Sequence, residues 1–265
     1  MSIILEVKNV SKSFKAPDGS TNHVLQNLSV SVEEGKFVTI VGPSGIGKST
    51  FLDLVGGLKK PDEGEITLVG ESVTGPQPDV LTMVFQDASL FPWRTAIQNV
   101  EFGLELKGVE ESKREEVAMK YLELTGIAKF RNYFPSQLSG GMQQRVSVAR
   151  ALTLDPKILV MDEPFGALDE QSRFALGDEL VRIQKETGKT ILFVTHSLIE
   201  ATYLADKIIV LSGKPAAVKA EINIDVKKPR NPDDPGLVEI RRQLWSYMSA
   251  KMTDLGGEGT LSNEA

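Results

Sequence analysis

The sequence predicts an α/β protein: a mostly parallel sheet, an antiparallel β subdomain ahead of it, and a helical subdomain inserted into it. Three observations carry that expectation. Short apolar, β-branched-rich runs at 37–41, 158–161, 190–194 and 207–211 alternate with helical periodicity, the order that right-handed crossovers in a parallel sheet produce. A glycine-rich run joins the first of those strands to a helix. Residues near 87–155 then show helical periodicity with few strand runs, interrupting the alternation.

Taken in order, Ile3 to Val10 and Val24 to Val32 alternate apolar and polar residues, as antiparallel strands with one wet face do. Lys15 to Ser20 is a turn cluster between them, and His23 is placed in that turn. Phe37 to Val41 reads as a buried strand, and Lys48 to Leu58 as a helix ended by Gly56-Gly57 and Pro61. Strands are expected at Gly64 to Val69 and Leu81 to Phe85, with a polar loop at Gly75 to Pro78 between them. Within the helical stretch, Ser112 to Leu124 and Gly140 to Leu152 are helices. The alternation resumes with strand Ile158 to Met161, helix Glu170 to Glu186, strand Thr190 to Val194, a helix through Ala205 and strand Lys207 to Leu211. Pro229 to Pro235 is a kinked linker, Leu237 to Met252 a surface-packed helix, and Asp254 to Ala265 a Gly/Ser-rich tail expected to be disordered. The expected organisation is thus a core over 1–212 with the helical insert at about 87–155, an extension over 213–253 holding a strand and a helix, and the tail 254–265.

Composition excludes several classes. The 265 residues carry 30 − 36 = −6 formal charge with pI near 5.2, so no global basic footprint points to nucleic acid. There is no cysteine, hence no disulfide framework and no thiol chemistry. The N-terminus lacks the apolar core of a signal peptide, and no run approaches the ~20 apolar residues of a membrane span, so a membrane role must come through a partner.

The chemistry centres on Gly42-Pro43-Ser44-Gly45-Ile46-Gly47-Lys48-Ser49-Thr50, which follows a strand and opens a helix. That context and the G-x-x-x-x-G-K-[ST] spacing describe a phosphate-binding loop. Glycines let backbone N–H groups converge on an anion, and the helix N-terminus adds partial positive charge. Lys48 supplies a cation for the outer phosphates and Ser49 a hydroxyl for Mg²⁺. The bland alternative is a Gly-rich turn with a surface lysine; the flanking strand and helix favour a nucleoside-triphosphate site. Asp162-Glu163 ends the strand at 158–161 and is expected beside this loop, where open α/β sheets bind ligands. Asp162 can hold Mg²⁺ and Glu163 can activate an attacking water; otherwise the pair only caps the next helix. Leu138 to Arg145 is a second serine-glycine turn opening a helix, a weak anion site or simply Ser139 as a cap.

Ser139-Gly140-Gly141-Met142-Gln143-Gln144-Arg145 resembles the signature of the ATP-binding cassette (ABC) ATPases, the motor subunits of transporters. The other motifs of that family follow in the family's order over residues 3 to about 212. The resemblance implies a P-loop NTPase (RecA-like) core. It makes Gln86 the glutamine at the junction of core and helical insert, Asp162 and Glu163 the acidic pair after the apolar strand, Ala167-Leu168-Asp169 an interface loop, and His196 the switch histidine. Phe14 falls where the family places an aromatic that stacks on adenine, although Phe14 could equally be a core aromatic. The implied cofactors are ATP and Mg²⁺. Lys48 and the loop amides of 42–50 would bind the β- and γ-phosphates, Ser49, Gln86 and Asp162 would approach Mg²⁺, Glu163 would act as base, and His196 would contact the γ-phosphate. Ser139, Gly140, Gly141 and Gln143 of one copy would close over the ATP of another, with Asp169 at the same interface. Ser197 stands where many importers carry Asp.

Ser89 to Thr95 and Asn99 to Leu106, rich in aromatics, lie where the family receives a helix of a membrane permease; they are either core anchors or a groove for that partner. The Phe-Pro-Trp-Arg-Thr run, Pro229-Arg230 and Trp245 resemble the nitrate/sulfonate/taurine importer subfamily. That resemblance implies a homodimer or paired ATPase subunit on two permease subunits, served by an extracytoplasmic solute-binding protein, on the cytoplasmic face of the inner membrane, with no nucleic acid. The rival reading is a non-transport cassette ATPase or a nucleotide-dependent regulator; the absence of a long coiled coil between Lys48 and Ser139, and an intact Glu163, weigh against it.

Overall fold

In the computed structural model, residues 2–249 are described, apart from 167. The expected tail 254–265, the last residues of the expected 237–252 helix and Ala167 lie outside the described residues.

Two sheets build the core. β1 (Ile3–Lys15), β2 (Thr21–Glu33), β4 (Glu63–Leu68) and β5 (Glu71–Ser72) form an antiparallel sheet in the order β2-β1-β4-β5. β3 (Phe37–Val41), β6 (Leu81–Val84), β7 (Ile158–Asp162), β8 (Thr190–Thr195), β9 (Lys207–Ser212) and β10 (Ala217–Asn223) form the second, ordered β10-β9-β3-β8-β7-β6. Its pairings are parallel except for β10 against β9.

The central strands β3 and β8 are buried at every position, and β7 at all but its last residue, because both faces are covered. Val38, Ile40, Ile158, Val160, Leu192 and Val194 pack toward the antiparallel sheet and helix α1 (Lys48–Val55). The alternate residues Phe37, Leu159, Met161, Ile191 and Phe193 pack on the opposite face with the helical region. That region comprises α2 (Ala96–Leu106), α3 (Glu111–Leu124) and α4 (Gly140–Leu152); α5 (Glu170–Thr187), between β7 and β8, packs in the same cluster. A third cluster joins α6 (Leu198–Leu204) to α7 (Pro235–Ser249), where Leu237 and Leu244 are fully buried.

Several boundaries differ from the sequence expectation. The first hairpin is longer: β1 runs to Lys15 and β2 starts at Thr21, because backbone pairing of Ser13 with His23 and Phe14 with Asn22 continues beyond the apolar alternation. His23 is therefore a strand residue, its ring Nδ1 2.9 Å from the Ser13 hydroxyl. The loop helix stops at Val55, not Leu58, since Gly57 takes φ +71°. The C-terminal helix begins at Pro235, where the fixed φ of proline suits a first helical position.

Candidate active site

The loop 42–50 leaves the C-terminal end of β3 and enters α1. Two of its glycines are demanded by space. A Cβ on Gly47, which has φ +114°, would sit 2.8 Å from Val24 Cγ1, and one on Gly42 would sit 2.9 Å from the Leu211 carbonyl oxygen. Gly47 is the N-cap of α1 and supplies no side-chain cap, so the first-turn amides are left for a ligand.

Lys48 is buried (5% exposed) and donates to the carbonyls of Gly42 (3.0 Å) and Pro43 (3.1 Å). Its ammonium lies 3.3 Å from the Glu163 carboxylate. Glu163 follows the tip of β7 with φ +45°, a left-handed conformation that is strained for a residue with a side chain. Its amide donates to the Val194 carbonyl, and its other carboxylate oxygen meets His196 Nδ1 at 2.8 Å. β7 is not the neighbour of β3. β8 intervenes, so His196, just past its end, stands between the loop and the acidic pair. Two strand spacings, ~10 Å, therefore separate the loop backbone from Glu163, a gap only side chains can cross.

Burial raises the Asp162 carboxyl above its ordinary value, and the neighbouring Ser49 hydroxyl and Lys48 ammonium offset part of that rise. Gln86, just beyond β6, joins Ser44, Gly45, Gly47, Lys48, Ser49, Thr50, Asp162, Glu163 and Val24 around one cavity of about 370 Å³. The fold thus gathers the ends of β3, β8, β7 and β6 at one edge, as open α/β sheets do. Val24 is the lining residue that sequence reading left unassigned; its only signal is a β-branched position on the strand that crosses Gly47.

Phe14 lies apart from that cavity, half-buried on β1, with the ammonium groups of Lys59 and Lys12 at 5.2 and 5.7 Å from its ring. It belongs to none of the buried core clusters. Ser139 caps α4 by accepting from the Met142 amide, as the helix-cap reading required. It also lines, with Gly141, Leu168 and Ser172, a separate open cavity of about 280 Å³ that shares no residue with the first. Gln143 turns inward, its amide donating to the carbonyls of Pro135 and Leu138. Asp169 caps α5, accepting from the Ser172 amide (2.9 Å) and hydroxyl (2.6 Å), which hold its carboxyl below the usual range.

The chain matches the ABC transporter family model over residues 25–166. It is 44% identical to an uncharacterised ABC transporter ATP-binding protein of Methanocaldococcus jannaschii, covering 94% of this chain and 92% of that one. It is 40% identical to the nitrate import ATP-binding protein NrtD of Synechocystis sp., covering 98% of each. Its fold matches the dimeric ATP-binding cassette MJ0796 in a post-hydrolysis state bound to ADP and Pi, with TM-score 0.76 and 35% identity over 84% of this chain and all of that one. It also matches cbiO1 of Clostridium perfringens, part of the transporter complex cbiONQ, at TM-score 0.76 and 25% identity over 96% and 98% of the two chains. With the phosphate loop, the acidic pair and the serine-glycine helix start in one fold, the chain belongs to the ABC transporter family, as an ATP-binding subunit that hydrolyses ATP.

Proposed function

We propose that this ATPase drives an importer for a small solute of the nitrate, sulfonate or taurine type. Two copies clamp ATP between them, and that closure moves two permease subunits. The observation that carries the clamp is the separation of the two cavities: lysine and the acidic pair, with His196 behind Glu163, on one, and the serine-glycine turn on the other. A triphosphate can meet both sets only if a second copy contributes one of them. The importer reading rests on the end-to-end likeness to a nitrate import protein.

In this reading Lys48 and the amides of 42–50 hold the β- and γ-phosphates, displacing Lys48 from Glu163. Released, the Glu163 carboxylate orients the attacking water and takes its proton. His196 steadies Glu163 through Nδ1 and presents its other ring nitrogen to the γ-phosphate. Ser49, Asp162 and Gln86 are hard oxygen donors lining one cavity, and fit Mg²⁺, which takes one or two carboxylates plus phosphate oxygens. Held by these residues, Mg²⁺ would supply positive charge against the phosphates. Ser139, Gly140 and Gly141 cap the γ-phosphate of the partner's ATP, and Asp169 meets the partner beside them. Gln143 supports the signature loop from within rather than by touching nucleotide, given its bonds to residues 135 and 138. Phe14 offers its ring to adenine, with Lys12 and Lys59 beside it.

ATP is expected to convert monomer to dimer, most completely in Glu163→Gln, where the bound triphosphate persists. Light scattering across protein concentration checks this, and a strictly monomeric ATP-bound Glu163→Gln variant would sink the clamp.

The permease contact is assigned to the aromatic platform after Gln86. Phe91 packs against Trp93 and Phe102 at 5.6 and 4.5 Å between ring centres, with the Arg94 guanidinium over two of these rings. Asn99 is buried beneath and pins the Phe91 and Arg94 backbone. Trp93 itself is 71% exposed and extends the aromatic cluster to the surface, the kind of contiguous apolar patch that marks an interaction site. Trp93→Ala is expected to keep basal hydrolysis within about twofold, as exposed substitutions do, while co-purification with the permease is lost. Insolubility of the free variant would instead make Trp93 a core anchor.

A further inference from the structure

Beyond the nucleotide cavity, α5 and α6 meet around an ion pair that the chemistry above does not use. Glu200 is only 8% exposed. One of its oxygens accepts from the Thr195 hydroxyl at 2.6 Å, and the other lies 3.4 Å from Arg173 Nε, a charge contact without hydrogen-bond geometry. The Thr195 hydroxyl in turn accepts from the Ser197 amide at 2.9 Å, and the Ser197 hydroxyl accepts from the Glu200 amide at 3.3 Å. Residues 195–197, which carry His196, are therefore stapled to Glu200. On the other side, Arg173 Nη2 donates to the Leu168 carbonyl at 3.1 Å, one residue before Asp169. A single carboxylate–guanidinium contact thus ties the histidine segment to the Asp169 segment. Beside the pair lies a cavity of about 170 Å³, lined by Arg173, Glu200, Ser197, Phe165 and Tyr203, so the surroundings do not wedge the pair in one arrangement.

Stability alone is a poor account of this pair. Desolvation of the Glu200 carboxylate offsets much of the attraction, Arg173 keeps a third of its side chain in solvent, and such half-exposed pairs contribute little to stability. What the ion pair adds is direction: Glu200 accepts from Thr195 on one side and Arg173 Nη2 donates to Leu168 on the other, so the charge contact joins two loops that face different ligands. We infer that Arg173 and Glu200 are positioning residues for hydrolysis, a bridge through which contact of the Asp169 segment with a second copy sets the placement of His196. The inference rests on the two-copy reading proposed above, and its test separates the two.

Glu200→Gln keeps the size and an acceptor for Thr195 while removing the charge. Arg173→Met keeps the aliphatic stem and removes both donors. Each is expected to lower kcat about tenfold, within the range that residues coupling two sites show. The KM for ATP should stay within about twofold, as for a change felt after binding, and the Hill coefficient for ATP should fall toward one. The double variant should fall no further than either single one, because the two residues act as one unit. Arg173→Lys, which keeps charge but not the fork, should recover part of kcat. Wild-type kcat and cooperativity in Glu200→Gln would overturn the bridge. So would losses that multiply in the double variant, or a parallel fall of ATP affinity and melting temperature, the mark of a merely structural pair. Should Arg173→Met fail to fold, Glu200→Gln and Arg173→Lys decide the matter. A wild-type protein that neither dimerises nor hydrolyses ATP cooperatively would instead take down the two-copy reading first, and the bridge with it.

Discussion

Replacing Glu163 by glutamine is expected to cut ATP turnover by about 10²–10⁴-fold while ATP binding survives. The expectation follows from what the substitution changes and what it leaves. Glutamine has the size and reach of glutamate, so the strained backbone at φ +45° and the amide bond to Val194 are untouched. Lys48 keeps its bonds to the carbonyls of Gly42 and Pro43, so the phosphate loop keeps its shape. What disappears is the only carboxylate that touches both Lys48 and His196 among the described residues, and with it the proton acceptor. The loss corresponds to roughly 3–5 kcal/mol of transition-state stabilisation, more than any exposed ion pair could account for. Phosphate release under saturating ATP, alongside ATP affinity by calorimetry, gives both numbers. Turnover near that of the wild type would remove Glu163 from the role of base; loss of ATP binding would make it a structural partner of Lys48 instead.

How far the amino-acid sequence alone reports a feature depends on how local that feature is. The phosphate loop and the acidic pair are written in consecutive residues at strand ends, and four apolar residues in a row, Ile158 to Met161, are enough to place Asp162 at a sheet edge. The helix start at Ser139 is equally local, since a cap needs only its own first turn. Strand order is not local: nothing between residues 158 and 196 says that the later strand inserts between the two earlier ones, yet that insertion puts His196 in contact with Glu163. The long β1–β2 hairpin escaped for a different reason. Its outer pairs, such as Phe14 with Asn22, are held by backbone bonds between largely wet side chains, and a pattern of burial cannot report them. The Arg173–Glu200 bridge escaped for the plainest reason: two charged residues on different helices have no shared period.

Gly141→Asp separates the fold from the clamp and carries the second large effect. Gly141 is the second residue of α4, and a Cβ there would meet nothing closer than Leu168 Cδ2 at 3.5 Å, an ordinary contact. A side chain at this position therefore fits the single chain. An aspartate in the first turn of a helix is even favourable, by about 0.3–1 kcal/mol, because it faces the positive end of the helix dipole. Thermal unfolding of the isolated variant should accordingly match or exceed that of the wild type. In the two-copy arrangement the same carboxylate would stand against the γ-phosphate of the partner's ATP. Two like charges about 4 Å apart at an effective dielectric of 20 repel by about 4 kcal/mol, enough to lower turnover about 10²–10³-fold and to abolish ATP-driven dimers. Binding of ATP to the single chain should be retained, because the phosphate cavity contains no atom of Gly141. A variant that is stable, binds ATP and neither dimerises nor turns over leaves only a contact outside the chain as the cause. A variant that hydrolyses ATP normally would mean that the serine-glycine turn caps its own helix and nothing more.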